Sequence, residues 1–539
     1  MEKSKQLLLL LLFIVPVYGS LAQDNFYFVT FKDKINNGFS VTQPSAFLSQ
    51  KAIERRNKQG IAIIEQDLPI SNTYKTSIIN KGIEVFESSK WFNGVIIKST
   101  QAEVDQLKNE IFVDAITYLA PNNYAGRMKL VDELLKEEDS PSDSLFQNQI
   151  LATNKMHWAG YYGEGITIAV LDGGFRGVNT AAPFSHLFAN GQVLYSYDFV
   201  SKSSNVYQYS SHGTKALSLM AAEIANSYQG IAPNANYLLF VTENVPTEYR
   251  IEEYYWLMGA ERADSAGADV LSTSLGYSTF DDPSMNYSQY DMNGITTVVA
   301  RAANIASEKG MVVVASAGNE GNNLWGTIVS PSDIVNGLSV GSIQTDYQRS
   351  SFSSFGPSSD GRIKPDVVAL GSMPYLISET GVITQSSGTS FSCPQVAALV
   401  AGIWQAYPQF SNLEIINAIR MSADNVVAPN NEVGYGIPSY TAIINYLKSI
   451  DPTTQPVLVY PNPITNGDLL TIKVSDPSKS ASVEMELYET SGKKIATNVY
   501  SVSWSDNEAH VELNYLPQGL YFLKVLFDSS SEEFRIVKL

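Results

Sequence analysis

The chain has 539 residues, too long for one ordinary hydrophobic core, and at roughly 100 to 200 residues per domain it is expected to form about three units. With 36 Lys and Arg against 54 Asp and Glu the net charge is −18, which excludes nucleic acid and anionic membrane as main partners, because both require a cationic face. Cys393 is the single cysteine, so no intramolecular disulfide is available.

The first 22 residues read as a secretory signal peptide: Lys3 and Lys5, an apolar run over 7–17, then Ser20-Leu21-Ala22 before Gln23. The run is too short to span a bilayer, no cysteine follows it for lipid attachment, and no later segment has 18 uninterrupted apolar residues. An exported protein without a stable membrane span is expected.

Residues 23–120 alternate strand-like and helix-like pieces (26–31, 47–59, 61–64, 74–81, 94–99 and 101–109), the pattern of a small α+β domain with an antiparallel sheet. Residues 121–154 contain the charged stretch LKEEDSPSDS and read as an exposed linker with a processing site. Over 155–447 the character changes. Continuous apolar runs at 166–171, 237–241, 270–272, 311–315 and 337–340 alternate with helical stretches such as 215–225, 254–266 and 297–309. Buried strands alternating with helices predict an α/β domain, a parallel sheet with helices on both faces, whose ligands bind beyond the carboxyl ends of the strands. A linker over 448–457 leads to 458–539, where short strand-like runs between turn residues predict an all-β sandwich.

Chemistry concentrates in the middle domain. Gly388-Thr389-Ser390 precedes the apolar run 396–403, which places a serine on a glycine turn at the start of a buried helix. Two readings are open there: Thr389 or Ser390 is an N-cap, or Ser390 is a nucleophile at a helix end able to stabilise negative charge. A serine hydroxyl is a weak nucleophile and needs a base, commonly a histidine, which in turn needs a carboxylate. The chain has four histidines, His157, His186, His212 and His510. His212 is singled out by Gly213 after it and by the helix that follows. His157, His186 and His510 are expected to be structural or surface residues, and Cys393 a small buried apolar residue. Asp172 ends the first apolar strand, where parallel-sheet proteins keep their chemistry. Asn319 follows the run 312–318 in a glycine-flanked loop, a position suited to an amide donor for an oxyanion, with the Ser390 N–H as second donor.

In that chain order the strings VLDGG (Asp172), HGT (His212), ASAGNEG (Asn319) and GTSFSCPQVAALVAG (Ser390) resemble the subtilisin-like serine proteases over about residues 155–447. The resemblance implies Ser390 as nucleophile, His212 as general base, Asp172 as its orienter and Asn319 as oxyanion donor. It also implies a substrate-lining strand at Ser274-Leu275-Gly276, with Ala315 and Gly318 beside the specificity pocket. Gly173 departs from the small hydroxyl residue usual after the aspartate, and the aromatic, serine-rich loop 195–209 is expected to reshape the cleft. Residues 24–120 are similar to the inhibitory propeptide of such proteases. The C-terminal domain, with Tyr460-Pro461-Asn462-Pro463, Leu516-Pro517-Gln518-Gly519-Leu520-Tyr521 and Arg535-Ile536-Val537-Lys538, resembles the type IX secretion sorting domain of Bacteroidetes.

The expectation is therefore a secreted or surface-located serine endopeptidase, made as a zymogen and exported by the general secretion route and then across an outer membrane. Its partners are protein or peptide substrates, its own propeptide as intramolecular inhibitor, and the type IX secretion machinery. It requires no cofactor; the family often binds structural calcium, but no DxDxDG-type loop places a site. The alternative is a catalytically inert surface protein that binds peptides or glycans on the same scaffold, and a third reading is an esterase using the same triad.

Overall fold

A computed structural model describes residues 24–122, 145–451, 457–465, 469–474, 484–496, 501–505, 508–526 and 531–539. The predicted signal peptide, the charged stretch of the first linker and half of the second linker lie outside the described residues.

The N-terminal region forms a four-stranded antiparallel sheet in the order Glu84–Ser89, Gly94–Ser99, Asn25–Phe31, Val113–Pro121. Helices Gln50–Lys58, Asn72–Ile79 and Gln101–Leu107 accompany it. The last is started by a capping box, with Thr100 Oγ1 accepting from Glu103 N and the Glu103 carboxylate accepting from Thr100 N. The run 61–64, expected as a strand, is not one. It leads into a single turn of 3₁₀ helix, Glu65–Asp67, and leaves Ile64 47% exposed, so its apolar residues have no sheet to join.

The middle region is built on seven parallel strands in the order Val367–Leu370, Leu338–Ile343, Val312–Ser316, Val270–Thr273, Thr167–Asp172, Asn236–Val241, Val193–Asp198. Successive side chains of a strand point to opposite faces, and here both faces are apolar. Ile168 and Val170 enter one core with Leu239, Val241, Val312 and Val314, while Ala169 and Leu171 enter the other with Leu238, Phe240, Leu271 and Val313. Helices His212–Ala221 and Thr389–Ala406 cover the first face; Ile251–Ala266 and Val298–Glu308 cover the second.

Helix Thr389–Ala406 lies between the sheet and the outer helices, and its residues from Thr389 to Trp404 are all buried. That explains its apolar character on every side.

The second face also carries the N-terminal sheet. Phe26, Phe28, Trp91, Ile96, Leu119 and Ala120 share the core of Tyr254, Tyr255 and Trp256, and the Phe28 and Tyr254 rings lie 4.6 Å apart. The core on this face of the middle region is therefore completed by apolar surface of the N-terminal one.

The C-terminal region has a four-stranded antiparallel sheet (Val457–Tyr460, Leu469–Val474, Glu508–Glu512, Ser501–Ser505) and a three-stranded one (Glu484–Glu489, Gly519–Leu526, Ser531–Lys538). Leu470, Ile472 and Val511 of the first share a core with Leu487, Leu523, Val525 and Ile536 of the second, which makes a sandwich. Among the described residues no helix is long and apolar enough to cross a membrane.

Candidate active site

The site forms at the carboxyl ends of the central strands. Asp172 is the last residue of Thr167–Asp172 and is fully buried. His212 is the first residue of helix His212–Ala221, and its Nδ1 lies 2.9 and 3.0 Å from the two carboxylate oxygens of Asp172. Because a carboxylate only accepts, Nδ1 carries the proton and Nε2 presents the lone pair. Burial works against a charged imidazole, but the charge and hydrogen bond of Asp172, with Glu243 behind, outweigh it and hold His212 above its ordinary value. Gly213 makes the approach possible: a Cβ there would lie 2.5 Å from the Gly174 carbonyl oxygen and 3.0 Å from Asp172 Cβ.

Ser390 is the second residue of its helix, and Gly388 is the N-cap, with no side-chain cap. The N-cap reading of Thr389 or Ser390 is therefore replaced, since both lie within the helix. The Ser390 hydroxyl donates to the Ser274 carbonyl at 3.3 Å, and the Ser274 hydroxyl donates to the Ser390 carbonyl at 2.8 Å. The second bond follows from Pro394. A proline four residues on has no N–H to give the Ser390 carbonyl, which is left for Ser274 to satisfy.

Asn319 lies just beyond strand Val312–Ser316 and is exposed. Its Oδ1 accepts from Thr389 N and Thr389 Oγ1, at 2.9 and 3.0 Å, and the Gly318 N–H donates to the same hydroxyl at 3.2 Å. With Oδ1 engaged, Nδ2 faces Gly388. A Cβ built on Gly388 would lie 3.6 Å from Asn319 Nδ2 and 3.7 Å from Ser390 N. Asn319 Oδ1 would lie 3.8 Å from the same point, so the Asn319 amide and the Ser390 N–H border one space beside Gly388.

Of the expected lining residues, Gly276 is exposed, Leu275 half-buried and Ser274 buried. Gly318 is buried and acts through its N–H on Thr389. Ala315 is wholly buried inside its strand. A Cβ on Gly173 would lie 3.3 Å from Val245 Cγ2, so the departure at this position accommodates the loop that carries Val245.

The other histidines and Cys393 have structural places. The His157 ring bonds the Ile231 carbonyl at 2.8 Å and stacks on Tyr162. His186 sits in the short helix Ser185–Ala189, and His510 bonds Thr471 Oγ1 at 3.2 Å. Cys393 is buried, and burial pushes its thiol up to about 12.

Glu243 was not anticipated. It follows strand Asn236–Val241, the neighbour of the Asp172 strand, and accepts from the Tyr277 hydroxyl at 2.5 Å. With Tyr209, from the predicted loop, and Val245 and Pro246 it lines a cavity of about 290 Å³. Burial, with Glu248 beside it, pushes its carboxyl up to about 8. Carboxylate oxygens of Glu243, Glu248 and Glu252 lie within 4.8 Å of one another, the arrangement among the described residues closest to a cation site. Glu252 is also raised by burial, so the cluster holds protons near neutral pH. Its only sequence signal is a carboxylate at the carboxyl end of a core strand.

Three family descriptions match the chain: "Subtilase family" over residues 163–436, "Peptidase S8 propeptide domain, Bacteroidota" over 26–152, and "Secretion system C-terminal sorting domain" over 458–538. Among curated proteins, subtilisin of Bacillus pumilus is 31% identical over 274 residues, which cover 50% of this chain and 87% of that protein. The thermophilic serine proteinase of Bacillus sp. (strain AK1) is 29% identical over 361 residues, covering 65% of this chain and 78% of that one. Among solved structures, MycP1 from Mycobacterium smegmatis aligns at 22% identity and TM-score 0.48 over 57% of this chain and 86% of that one.

Proposed function

The chain belongs to the subtilase family of serine endopeptidases, made with a propeptide and a secretion sorting domain that directs it to the cell surface or beyond, and on that premise we propose that Ser390 attacks the scissile carbonyl with Asp172, His212 and Asn319 as its partners. The Ser390 hydroxyl turns from the Ser274 carbonyl toward His212 and passes its proton to Nε2 as the Oγ–C bond forms. Asp172 keeps the proton on Nδ1 and stabilises the imidazolium. The oxyanion accepts from Asn319 Nδ2 and Ser390 N. His212 then protonates the leaving amine, the C–N bond breaks, and water repeats the sequence on the acyl-enzyme.

The nearness of the Asn319 amide and the Ser390 N–H to one space beside Gly388 carries this reading, since two such donors would support a developing negative charge there. The open edge at Leu275 and Gly276 supports pairing of an extended substrate backbone with this segment. The reaction draws on protein groups alone and requires no cofactor. We also assign the propeptide the role of intramolecular inhibitor: Leu119 and Ala120 of its last strand belong to the same hydrophobic core as Leu275 of the substrate-lining segment.

A fluorophosphonate probe tests the assignment. It should label the processed enzyme, and Ser390→Ala should remove both labelling and peptide hydrolysis; labelling that persists in the variant refutes it.

A further inference from the structure

The propeptide reaches a second region of the catalytic domain, far from the cleft. Helix Gln50–Lys58 and the turn Glu65–Asp67 lie between its first strand and its second main helix, forming an arm outside its sheet. Lys51 Nζ bonds Gly165 O at 2.9 Å and Thr167 Oγ1 at 2.7 Å, and pairs with Asp269 at 2.7 Å. Arg55 bonds the Lys309 carbonyl at 3.2 Å, the Ala268 carbonyl and the Asp264 carboxylate. Gln59 donates to Gly310 O at 2.9 Å and accepts from Asn412 N at 2.9 Å.

These contacts fall at the amino ends of the strands that carry the site. Thr167 opens the strand ending at Asp172, Asp269 precedes the strand leading to Ser274, and Gly310 precedes the strand leading to Asn319. At about 3.3 Å per residue, a six-residue strand puts the arm about 17 to 20 Å from the chemistry. The arm covers the opposite end of the sheet from the active site.

Charge makes the seat specific. Asp264 is fully buried and faces three propeptide cations: Arg55 at 2.5 Å, Arg56 at 2.8 Å and Lys90 at 3.3 Å. Burial alone would raise its carboxyl, yet Lys90, Arg55 and Arg56 hold it well below the usual range. The complement runs the other way too, since Lys309 of the catalytic domain pairs with Asp67 of the arm at 3.2 Å. A surface that presents an acid to two arginines and a lysine to an aspartate discriminates against partners with the wrong charge order.

We propose that the seat formed by Asp264, Asp269 and Lys309 at the amino ends of the strands is a non-inhibitory binding site for the propeptide arm, so that the cleaved propeptide stays tethered there independently of the active-site cleft. This goes beyond the catalytic assignment and rests on the arm's contacts, not on the roles given to Ser390 or His212. Cleavage in the linker cuts none of the arm's contacts.

Two measurements test it. A synthetic peptide of residues 47–70 is titrated against the processed enzyme while hydrolysis of a small peptide substrate is followed. Release of the cleaved propeptide is timed for the wild-type chain and for the Lys51→Ala, Arg55→Ala double variant, both side chains reaching groups of the catalytic domain. The expected results are saturable binding with hydrolysis changed less than about twofold, and release from the variant at least about tenfold faster. Competitive inhibition by the peptide overturns the proposal, and so does release from the variant within twofold of wild type. If no enzyme form hydrolyses the substrate, the catalytic reading fails while the binding and release measurements still decide this one.

Discussion

Asn319 is locked by Thr389: its Oδ1 accepts from both the backbone N–H and the hydroxyl of Thr389, at 2.9 and 3.0 Å. The lock fixes which end of the amide faces the site, since an N–H and a hydroxyl donor on one side leave the nitrogen on the other. Asn319→Ala should lower kcat by about 10²–10³-fold with KM little changed, the loss known for the like donor of subtilisin. Steady-state kinetics on a peptide substrate check this, and a loss confined to KM would place Asn319 in ground-state binding instead.

Gly388→Ala separates fold from chemistry. The added methyl would make ordinary contacts, 3.6 Å from Asn319 Nδ2 and 3.7 Å from Ser390 N, so packing is undisturbed. It would nevertheless fill the space between the donors. Unfolding temperature should stay within about 2 °C while kcat falls at least about 100-fold. A variant with normal turnover would show that the oxyanion lies elsewhere.

Asp172→Asn acts on His212 in two ways. It removes the carboxylate that raises the imidazole pKa and that keeps the Nδ1 tautomer. The base works only when neutral, so wild-type kcat/KM should fall as pH drops through a value above the ordinary 6.5 of histidine. In the variant that acid limb should move to lower pH while kcat drops by about 10⁴-fold from the wrong tautomer. A pH–rate profile of both forms decides, and an unmoved limb would mean another group sets it.

Glu243 couples stability to alkaline pH. Its carboxyl, raised from about 4.5 to about 8, binds a proton in the folded state that the unfolded chain gives up near its ordinary value. Between those values the folded state holds more protons, so this group lowers stability as pH rises and its effect is complete above about 8. Glu243→Gln removes the titration. Compared in a Ser390→Ala background to prevent self-digestion, the variant should gain in unfolding temperature relative to its parent between pH 5 and pH 9. A constant difference across that range would show that Glu243 titrates normally.

Apart from the four-residue Val367–Leu370, the strands buried on both faces were legible in the sequence because they are continuous apolar runs: Thr167–Asp172 and Asn236–Val241 lie within a residue of their predicted bounds. The strands Glu84–Ser89 and Val193–Asp198 were missed for the same reason reversed. Their residues are mostly half-exposed, so polar and apolar side chains mix without a clean run. The buried helix expected to start at the Gly388-Thr389-Ser390 turn begins at Thr389, and Pro394, its sixth residue, lies near its start.

The site divides along the same line. Asp172, His212, Asn319 and Ser390 each lie in a distinctive local string, and the structure brings them to one end of the sheet. What joins them was not legible. The Thr389 lock on Asn319 and the Ser274 hydroxyl on the Ser390 carbonyl span 70 and 116 residues and depend on how separate strands and a helix end approach. The signal at Glu243 was too weak to single it out, because a lone glutamate after a strand is ordinary punctuation until a tyrosine hydroxyl and two further carboxyls close around it.

Cys393 sits under the nucleophile's helix, its Sγ against the Thr273 and Val314 carbonyls at 3.4 Å, with no second cysteine anywhere in the chain. An enzyme built this way carries no bridge for a reductant to open and offers no accessible thiol for an oxidant or a foreign disulfide to trap. Whatever redox conditions it meets outside the cell, its working life there is set by the packing of its core and by its own proteolysis.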